Sequence, residues 1–294
     1  MLSECRGDAV MVWAPAKVNL FLEVLGKRAD GYHDIATLMV AVSLYDTLEL
    51  KEAAPGQIQL DCNRPDLSSG PDNLVYRAAA LLRERAQCRN GATIGLQKRI
   101  PIAAGLAGGS SDAAATLTGL NRLWQLGWSQ AQLMPLAAEL GSDVAFFMAG
   151  LASWCTGRGE KVAPVSLGRT LWLVLVCPDA HLSTAEVYSR VRAPGCPQTG
   201  QELRRALAEG SLNEVGRRLH NRLQSVSETL CPAVGDIRRT LEGYRPLGQL
   251  MSGSGPAVFA LCSGRPEASR IAHELRHGSR EESSPTVFLV RSCF

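Results

Sequence analysis

Between Ile100 and Ala115 the chain reads IPIAAGLAGGSSDAAA, and no other segment constrains the fold as tightly. Gly105, Gly108 and Gly109 stand directly before a run in which Ala113, Leu117, Leu120 and Trp124 recur at helical spacing. The pattern predicts a glycine loop that leads into a helix over Ser110–Gln125. A helix start leaves several backbone N–H groups unpaired and carries partial positive charge. Glycines without a Cβ let an anion approach those groups. Ser110 and Ser111 add hydroxyls suited to phosphate oxygens, or to a magnesium ion bound to them. The same residues would also make a tight strand-to-helix turn with a serine cap. No GxxxxGK[ST] occurs and GLAGGS lacks GxGxxG spacing, so this is neither a Walker A loop nor a dinucleotide fingerprint.

A second cluster, Met251-Ser-Gly-Ser-Gly-Pro256, lies between two strand-like runs and reads locally as a hairpin turn. The chain holds 28 glycines, where a usual share of ~7% would give about 21. The glycines gather at 105–109 and 253–255. Two such clusters in one chain lead us to expect that both line one site.

Strands are expected at Val10–Leu25 (broken by a kink at Ala14-Pro-Ala-Lys17), Ile35–Glu52, Gln57–Cys62 and Ala92–Ile100. Helices are expected at Asn73–Arg85 with Asp72 as cap, at Ser129–Leu140 capped by Ser129, and from Ser142 to Phe147. Leu151–Cys155 and Lys161–Val165 read as strands, and composition then shifts near Ser166–Arg169. Beyond it come a buried-type strand at Leu171–Cys177 and helices at Thr184–Arg192, Gln201–Ala208, Leu212–Leu230 and Ala233–Glu242. Leu247–Met251 and Val258–Cys262 read as strands, Pro266–His277 as a helix and Thr286–Arg291 as a last strand. This is an α+β chain in two lobes, 1–167 and 168–294.

Charge and composition narrow the function. Lys+Arg number 31 against 28 Asp+Glu, a net charge of +3, which gives no broad field for nucleic acid. Hydrophobic residues at 46% exclude a disordered chain. The start, Met1–Asp8, is polar and unlike a signal peptide, and the longest apolar run, Leu171–Cys177, is far short of a membrane span. Nine scattered cysteines without a CxxC pair read as reduced structural thiols. A cytoplasmic protein without membrane partners is expected.

Ala14-Pro-Ala-Lys-Val-Asn-Leu20, the loop Pro101–Ala115 and Ser252-Gly-Ser-Gly-Pro256 resemble the three motifs of the GHMP kinases, the family of galactokinase, homoserine kinase and mevalonate kinase. Arg28-Ala-Asp-Gly-Tyr-His33, Asp72-Asn73-Leu74, Gly141-Ser-Asp143 and Gly157-Arg-Gly159 also fit, so the resemblance runs from about residue 11 to 262. The Asp30-Gly-Tyr-His33 segment is its most specific part and resembles the branch whose acceptor is CDP-methylerythritol. One departure is Ala145, where the family usually has proline. Another is the loop itself: some members have a further glycine at the Ala107 position and asparagine at the Asp112 position.

The resemblance implies an N-terminal lobe like ribosomal protein S5 domain 2, a ferredoxin-like C-terminal lobe, and ATP with Mg²⁺ and substrate in the cleft between them. It implies transfer of the γ-phosphate of ATP to the 2-hydroxyl of the acceptor. Lys17 and Asp143 are then catalytic, with Asp143 as general base and a Lys17–Asp143 pair across the cleft. Asn73, Lys98, Pro101, Gly105, Leu106, Ala107, Gly108, Gly109, Ser110 and Ser111 would bind ATP, with Ser111 a possible Mg²⁺ ligand. Asn19, Tyr32, His33, Thr184, Tyr188, Gly253, Ser254 and Gly255 would bind the acceptor, with Tyr32 and Tyr188 sandwiching cytosine. The residues alone leave plainer readings open: Asp143 as a helix cap, Lys17 snorkelling from a strand edge, Lys98 on a surface strand and Asn73 as the first residue of its helix. Another GHMP kinase, or a non-catalytic nucleotide-binding relative, are the alternatives. A monomer or weak homodimer acting on a small molecule is expected.

Overall fold

The computed structural model describes residues 1–278 and 284–293. Its elements begin with β1 (Leu2–Arg6), β2 (Ala9–Lys27), β3 (His33–Ala53), β4 (Ile58–Cys62), α1 (Leu74–Arg85), β5 (Gly91–Gln97), α2 (Gly108–Leu123), α3 (Gln130–Leu140) and α4 (Ser142–Ala149). They continue with β6 (Ala152–Gly157), β7 (Lys161–Pro164), β8 (Trp172–Cys177), α5 (Thr184–Arg190), α6 (Gln201–Glu209), α7 (Leu212–Arg217), β9 (His220–Asn221) and α8 (Gln224–Leu230). The last are α9 (Pro232–Gly243), β10 (Gly248–Met251), β11 (Val258–Cys262), α10 (Arg265–Gly278) and β12 (Thr286–Arg291). By their contacts they form two compact units: Met1–Ala16, Leu44–Ile102 and Ala107–Gly150, and then Lys17–Ser43, Ala103–Leu106 and Leu151–Phe294. The units interleave along the chain, so a single cut at 167/168 does not reproduce them. The cause is the length of β2 and β3, at 19 and 21 residues, each of which serves one unit with one end and the other unit with the rest.

In the first unit β1 pairs antiparallel with the start of β2, and the end of β3 pairs antiparallel with β5, from Thr47 opposite Gln97 to Ala53 opposite Gly91. The helix α2 buries Ala113, Ala114, Leu117, Leu120 and Leu123. Full burial of a leucine contributes about 1.5–3 kcal/mol. Gly119 sets how closely α2 lies on β3, because a Cβ there would stand 2.1 Å from Leu50 Cδ1.

In the second unit β10, β11, β8 and β12 form an antiparallel sheet in that order. The strand β8, WLVLVC, is central and almost wholly buried, which accounts for its unbroken apolar run. Val174, Val176, Val187, Val234, Leu241, Val258, Ala260 and Ile271 make the core between this sheet and its helices. The strand β6 pairs with the start of β3, and β9 lies parallel to β2 with His220 opposite Phe21.

Several expectations change. The kink at Ala14–Lys17 is absent: β2 is one strand, and Pro15 falls beyond the stretch paired with β1, which ends at Trp13, so no bond to β1 is lost. The helix expected over Leu212–Leu230 is two helices around β9, because pairing with β2 overrides helical periodicity there. Asn73, not Asp72, caps α1: its Oδ1 accepts the Val75 N–H at 2.9 Å. The strand β1 has no counterpart in the expectations. Ser129 does cap α3, with a capping box to Gln132. All nine cysteines are thiols outside any disulfide. Among the described residues no helix is long and apolar enough to cross a membrane.

Candidate active site

The second unit brings together two motifs far apart in sequence. Lys17 is a charged residue in an apolar strand, 4% exposed, and a buried ammonium needs acceptors. Its Nζ donates to Asn19 Oδ1 at 2.6 Å and to the Gly105 carbonyl at 2.7 Å. Lys17 and Asn19 share a strand face because side chains alternate. The Asn19 side chain in turn donates to Thr37 Oγ1 at 2.8 Å, and its backbone N–H to Ser252 Oγ at 3.3 Å. The Ser252 hydroxyl donates to the same Gly105 carbonyl at 2.9 Å. Glycine is required at both ends of this contact. Gly105, at φ +77°, would put a Cβ 2.1 Å from the Ser252 carbonyl oxygen. Gly253, at φ +58°, would put one 3.1 Å from Lys17 Nζ and from the Gly105 oxygen. The 251–256 segment is the β10–β11 hairpin turn, as its local pattern suggests, and it also meets the first glycine cluster at Gly105. Ser254 Oγ lies 2.8 Å from Thr184 Oγ1.

The first unit holds the helix start. The helix α2 begins at Gly108, two residues before the expected Ser110, so Gly108 and Gly109 are its first turn. Its cap position is Ala107, a left-handed residue at φ 54° whose side chain cannot accept. The serine cap is therefore absent, and the leading N–H groups are left for an outside acceptor. Gly108 has no room for a side chain: a Cβ would stand 3.0 Å from Ile100 Cγ2 and 3.1 Å from Lys98 Nζ. Gly109 is less crowded, with Leu74 Cδ1 at 3.8 Å. Ser111 Oγ and Asp112 Oδ1 are buried without a hydrogen-bond partner. Ser110 and Pro101 are half-buried, while Leu106 is buried and its carbonyl accepts the Lys17 N–H at 3.1 Å.

Lys98 is not a surface lysine. Its Nζ pairs with Asp112 Oδ2 at 2.7 Å and with Asp46 Oδ2, and all three side chains are buried. Asp46 Oδ1 also accepts the N–H groups of Arg99 at 2.5 Å and Ile100 at 2.9 Å. One ammonium serves two carboxylates here. Burial, reinforced by the neighbouring Asp46 and opposed by Lys98, pushes the Asp112 carboxyl up to about 8. Burial lowers the Lys98 pKa, but the charges of Asp112 and Asp46 outweigh it, and the net direction is up. Asp143 lies in the first turn of α4, half-buried, and the cap is Gly141 instead. Asp143 and Lys17 belong to different units.

The 28–34 loop lies in the second unit. Arg28 holds it by pairing with Asp30 at 3.1 Å and Asp34 at 2.8 Å. Tyr32 is 58% exposed. The His33 ring is 5.3 Å from the Tyr188 ring, so these two pack on each other. Burial, aided by Lys27, lowers the His33 pKa, which favours the neutral ring.

Residues not singled out in the sequence complete the scaffold. Asn221 donates to the Met251 and Gly253 carbonyls, both at 2.8 Å. It is placed by β9, which Glu23 anchors through Arg222 at 2.6 Å and His220 at 3.1 Å. Burial alone would raise the Glu23 pKa. Arg222, the N–H groups of Gln198 and Val24, and His220 bring it below the usual range. The sequence signal was faint: a carboxylate in the apolar run FLEVL, and an asparagine inside a helix-like pattern. Asp46 and Thr37 likewise look like ordinary strand residues.

One unit holds a glycine-led helix start, and the other buries a lysine and an asparagine among glycine turns. The sequence model described as GHMP kinases N terminal domain matches residues 73–151, and that described as GHMP kinases C terminal matches 203–279. GHMP kinases draw on ATP as phosphate donor. The 4-diphosphocytidyl-2-C-methyl-D-erythritol kinase of Shouchella clausii is 43% identical over 264 residues, 90% of this chain and 89% of the relative. That of Pelotomaculum thermopropionicum is 45% identical over 90% of this chain and 92% of its own length. A crystal structure of 4-(cytidine 5'-diphospho)-2C-methyl-D-erythritol kinase matches with a TM-score of 0.80 and 35% identity, covering 97% of this chain and all of that one. The chain belongs to the 4-diphosphocytidyl-2-C-methyl-D-erythritol kinase family of GHMP kinases.

Proposed function

We propose that the chain transfers the γ-phosphoryl group of ATP to the 2-hydroxyl of 4-diphosphocytidyl-2-C-methyl-D-erythritol, within the non-mevalonate route to isoprenoid precursors. One observation carries the reading: relatives of that name align over nine-tenths of the chain at 43–45% identity. We place the activity in the cytoplasm, with small molecules as ligands, neither nucleic acid nor membrane as partner, and a monomer or weak homodimer as the working form.

The residues divide the work. The N–H groups at the start of α2 hold the ATP phosphates, and Gly108 and Gly109 keep the approach clear of side chains. The unpartnered Ser111 hydroxyl fits a donor to a phosphate-bound Mg²⁺, an ion that usually keeps several waters and takes few protein ligands. When bound, Mg²⁺–ATP supplies the phosphoryl group and neutralises part of its charge. Lys98 is committed to Asp46 and Asp112, so its part is to brace the loop behind Gly108. Asn73, as cap of α1, and Pro101 support the nucleotide side.

Asp143 takes the acceptor's proton, and Lys17 offsets charge on the transferred group. Asn19 orients the acceptor, and Gly253, Ser254 and Gly255 close the turn around it. Tyr32, His33, Tyr188 and Thr184 receive the cytidine. The packing of His33 on Tyr188 supports one wall made by both rings, with Tyr32 as the exposed stacking surface.

The test is a coupled ADP-release assay. ATP turnover should rise with 4-diphosphocytidyl-2-C-methyl-D-erythritol and not with galactose, homoserine or mevalonate. Stimulation by one of those three alone would overturn the reading. Asp143→Ala should lower kcat by at least ~100-fold, the usual scale of general-base loss. A near-wild-type kcat would remove Asp143 from that role.

A further inference from the structure

The Gly157-Arg-Gly159 motif joins β6 to β7, and the roles above leave it unused. Its backbone is specialised: Gly157 and Gly159 lie at φ +73° and +111°, where side chains are disfavoured. A Cβ on Gly157 would meet the Glu160 carboxylate at 2.6 and 2.8 Å. That carboxylate accepts the Arg158 N–H at 2.7 Å and so fixes the turn.

Sheet register sets where Arg158 falls. Ile35 is paired with Gly157 in the antiparallel β3–β6 ladder. The ladder ends at that pair, and Arg158 is the first residue of the turn beyond it. The side chain follows: Arg158 Cζ stands over the Tyr32 ring, 5.0 Å from its centroid, a cation–π distance. Both loop carboxylates, Asp30 and Asp34, are already paired with Arg28. Among the described residues no carboxylate lies within 4.0 Å of the Arg158 guanidinium, although its charge, after those of nearer partners, helps lower the Asp30 pKa. The guanidinium is a cation with a fork of N–H donors, stacked on an exposed aromatic ring. A planar fork of this kind matches phosphate oxygens two at a time.

We propose that Arg158 is a specificity-determining residue that binds the diphosphate of the acceptor while its flat face steadies Tyr32 for the base. The proposal rests on the acceptor being a cytidine diphosphate compound, as argued above.

The test compares wild type, Arg158→Ala and Arg158→Lys. Acceptor and ATP KM are read by ADP release, and cytidine, CMP and CDP are read as inhibitors competing with the acceptor. Arg158→Ala should raise acceptor KM at least ~10-fold, the scale of one charge-assisted hydrogen bond, and leave the ATP KM unchanged. CDP inhibition should weaken by a similar factor and cytidine inhibition by less than ~3-fold, since cytidine has no phosphate to lose. Lysine should restore part of the difference. An equal loss for cytidine and CDP would mean that Arg158 only braces Tyr32 and would overturn the proposal, as would an unchanged acceptor KM. The site is a surface turn, so both variants should melt with wild type. Wild type that ignores 4-diphosphocytidyl-2-C-methyl-D-erythritol would sink the activity itself, a result separate from the CDP-against-cytidine comparison.

Discussion

Replacing Lys98 with methionine probes the buried Asp46–Lys98–Asp112 cluster. Methionine keeps most of the stem's volume, so lost packing is small and the change is chiefly electrostatic. Lys98 Nζ serves Asp46 Oδ2 and Asp112 Oδ2, and the two aspartate side chains are 0% and 2% exposed. Removing one partner of a buried pair costs about 3–5 kcal/mol. The low end applies here, for two reasons. Asp46 keeps the Arg99 and Ile100 N–H groups, and Asp112, pushed up to about 8, is chiefly protonated at pH 7 and can donate to Asp46. We expect a loss of about 3 kcal/mol, or roughly 6–12 °C in Tm at about 2–4 °C per kcal/mol. Asp112→Asn removes no charge at pH 7 and should cost less than ~1 kcal/mol, the net worth of an ordinary hydrogen bond. The assay is thermal and urea denaturation at pH 7, followed by tryptophan fluorescence, with Trp124 as a buried reporter in the same unit. A Lys98→Met protein that melts within ~2 °C of wild type, less than one kcal/mol's worth, refutes the reasoning. So does an Asp112→Asn protein as damaged as Lys98→Met.

The same cluster sets a pH dependence. Folded, Asp112 keeps its proton up to about pH 8, whereas the unfolded chain releases it near ~3.9. Between those values the folded state binds more protons. This group's contribution is therefore full below the unfolded value and is lost as pH rises towards 8. Wild-type stability measured against Asp112→Asn should fall from pH 5 to pH 8, and a rise would contradict the assignment.

Two further substitutions address the glycine turns. Asn221→Ala strips the shared donor from the Met251 and Gly253 carbonyls. Each buried group left unsatisfied costs about 1–3 kcal/mol, and steady-state kinetics should show kcat falling while the ATP KM holds. Gly253→Ala forces a side chain into a left-handed position 3.1 Å from Lys17 Nζ. It should cost about 1 kcal/mol of stability and, on the role proposed for Lys17, at least ~10-fold in kcat; wild-type kcat would count against that role or against this contact holding Lys17.

What the sequence reveals depends on how far the responsible interaction reaches along the chain. Helices and strands set by their own periodicity, such as α3 with its capping box or the wholly apolar β8, are legible because the cause lies within one segment. The stretch Leu212–Leu230 is not legible in this way. Its apolar spacing suits a helix, yet two residues are drawn into pairing with Phe21 and Leu22 almost 200 positions earlier, and Glu23 at the same place anchors Arg222. Periodicity carries no trace of such a partner. Asp46 and Asn221 are hidden for the same reason, since each acts on residues that only folding brings near. Glycine is the exception. An absent Cβ is itself a record of a distant approach: Gly105 is glycine because the Ser252 carbonyl would stand 2.1 Å from its Cβ, across 147 positions of sequence. The glycine clusters therefore mark, from sequence alone, where distant stretches of backbone meet. The charged residues do not announce their roles in that way. Lys17 and Lys98 each lie in or at the end of a strand-like run, and only the structure separates the lysine held by an asparagine and a carbonyl from the one clasped by two carboxylates.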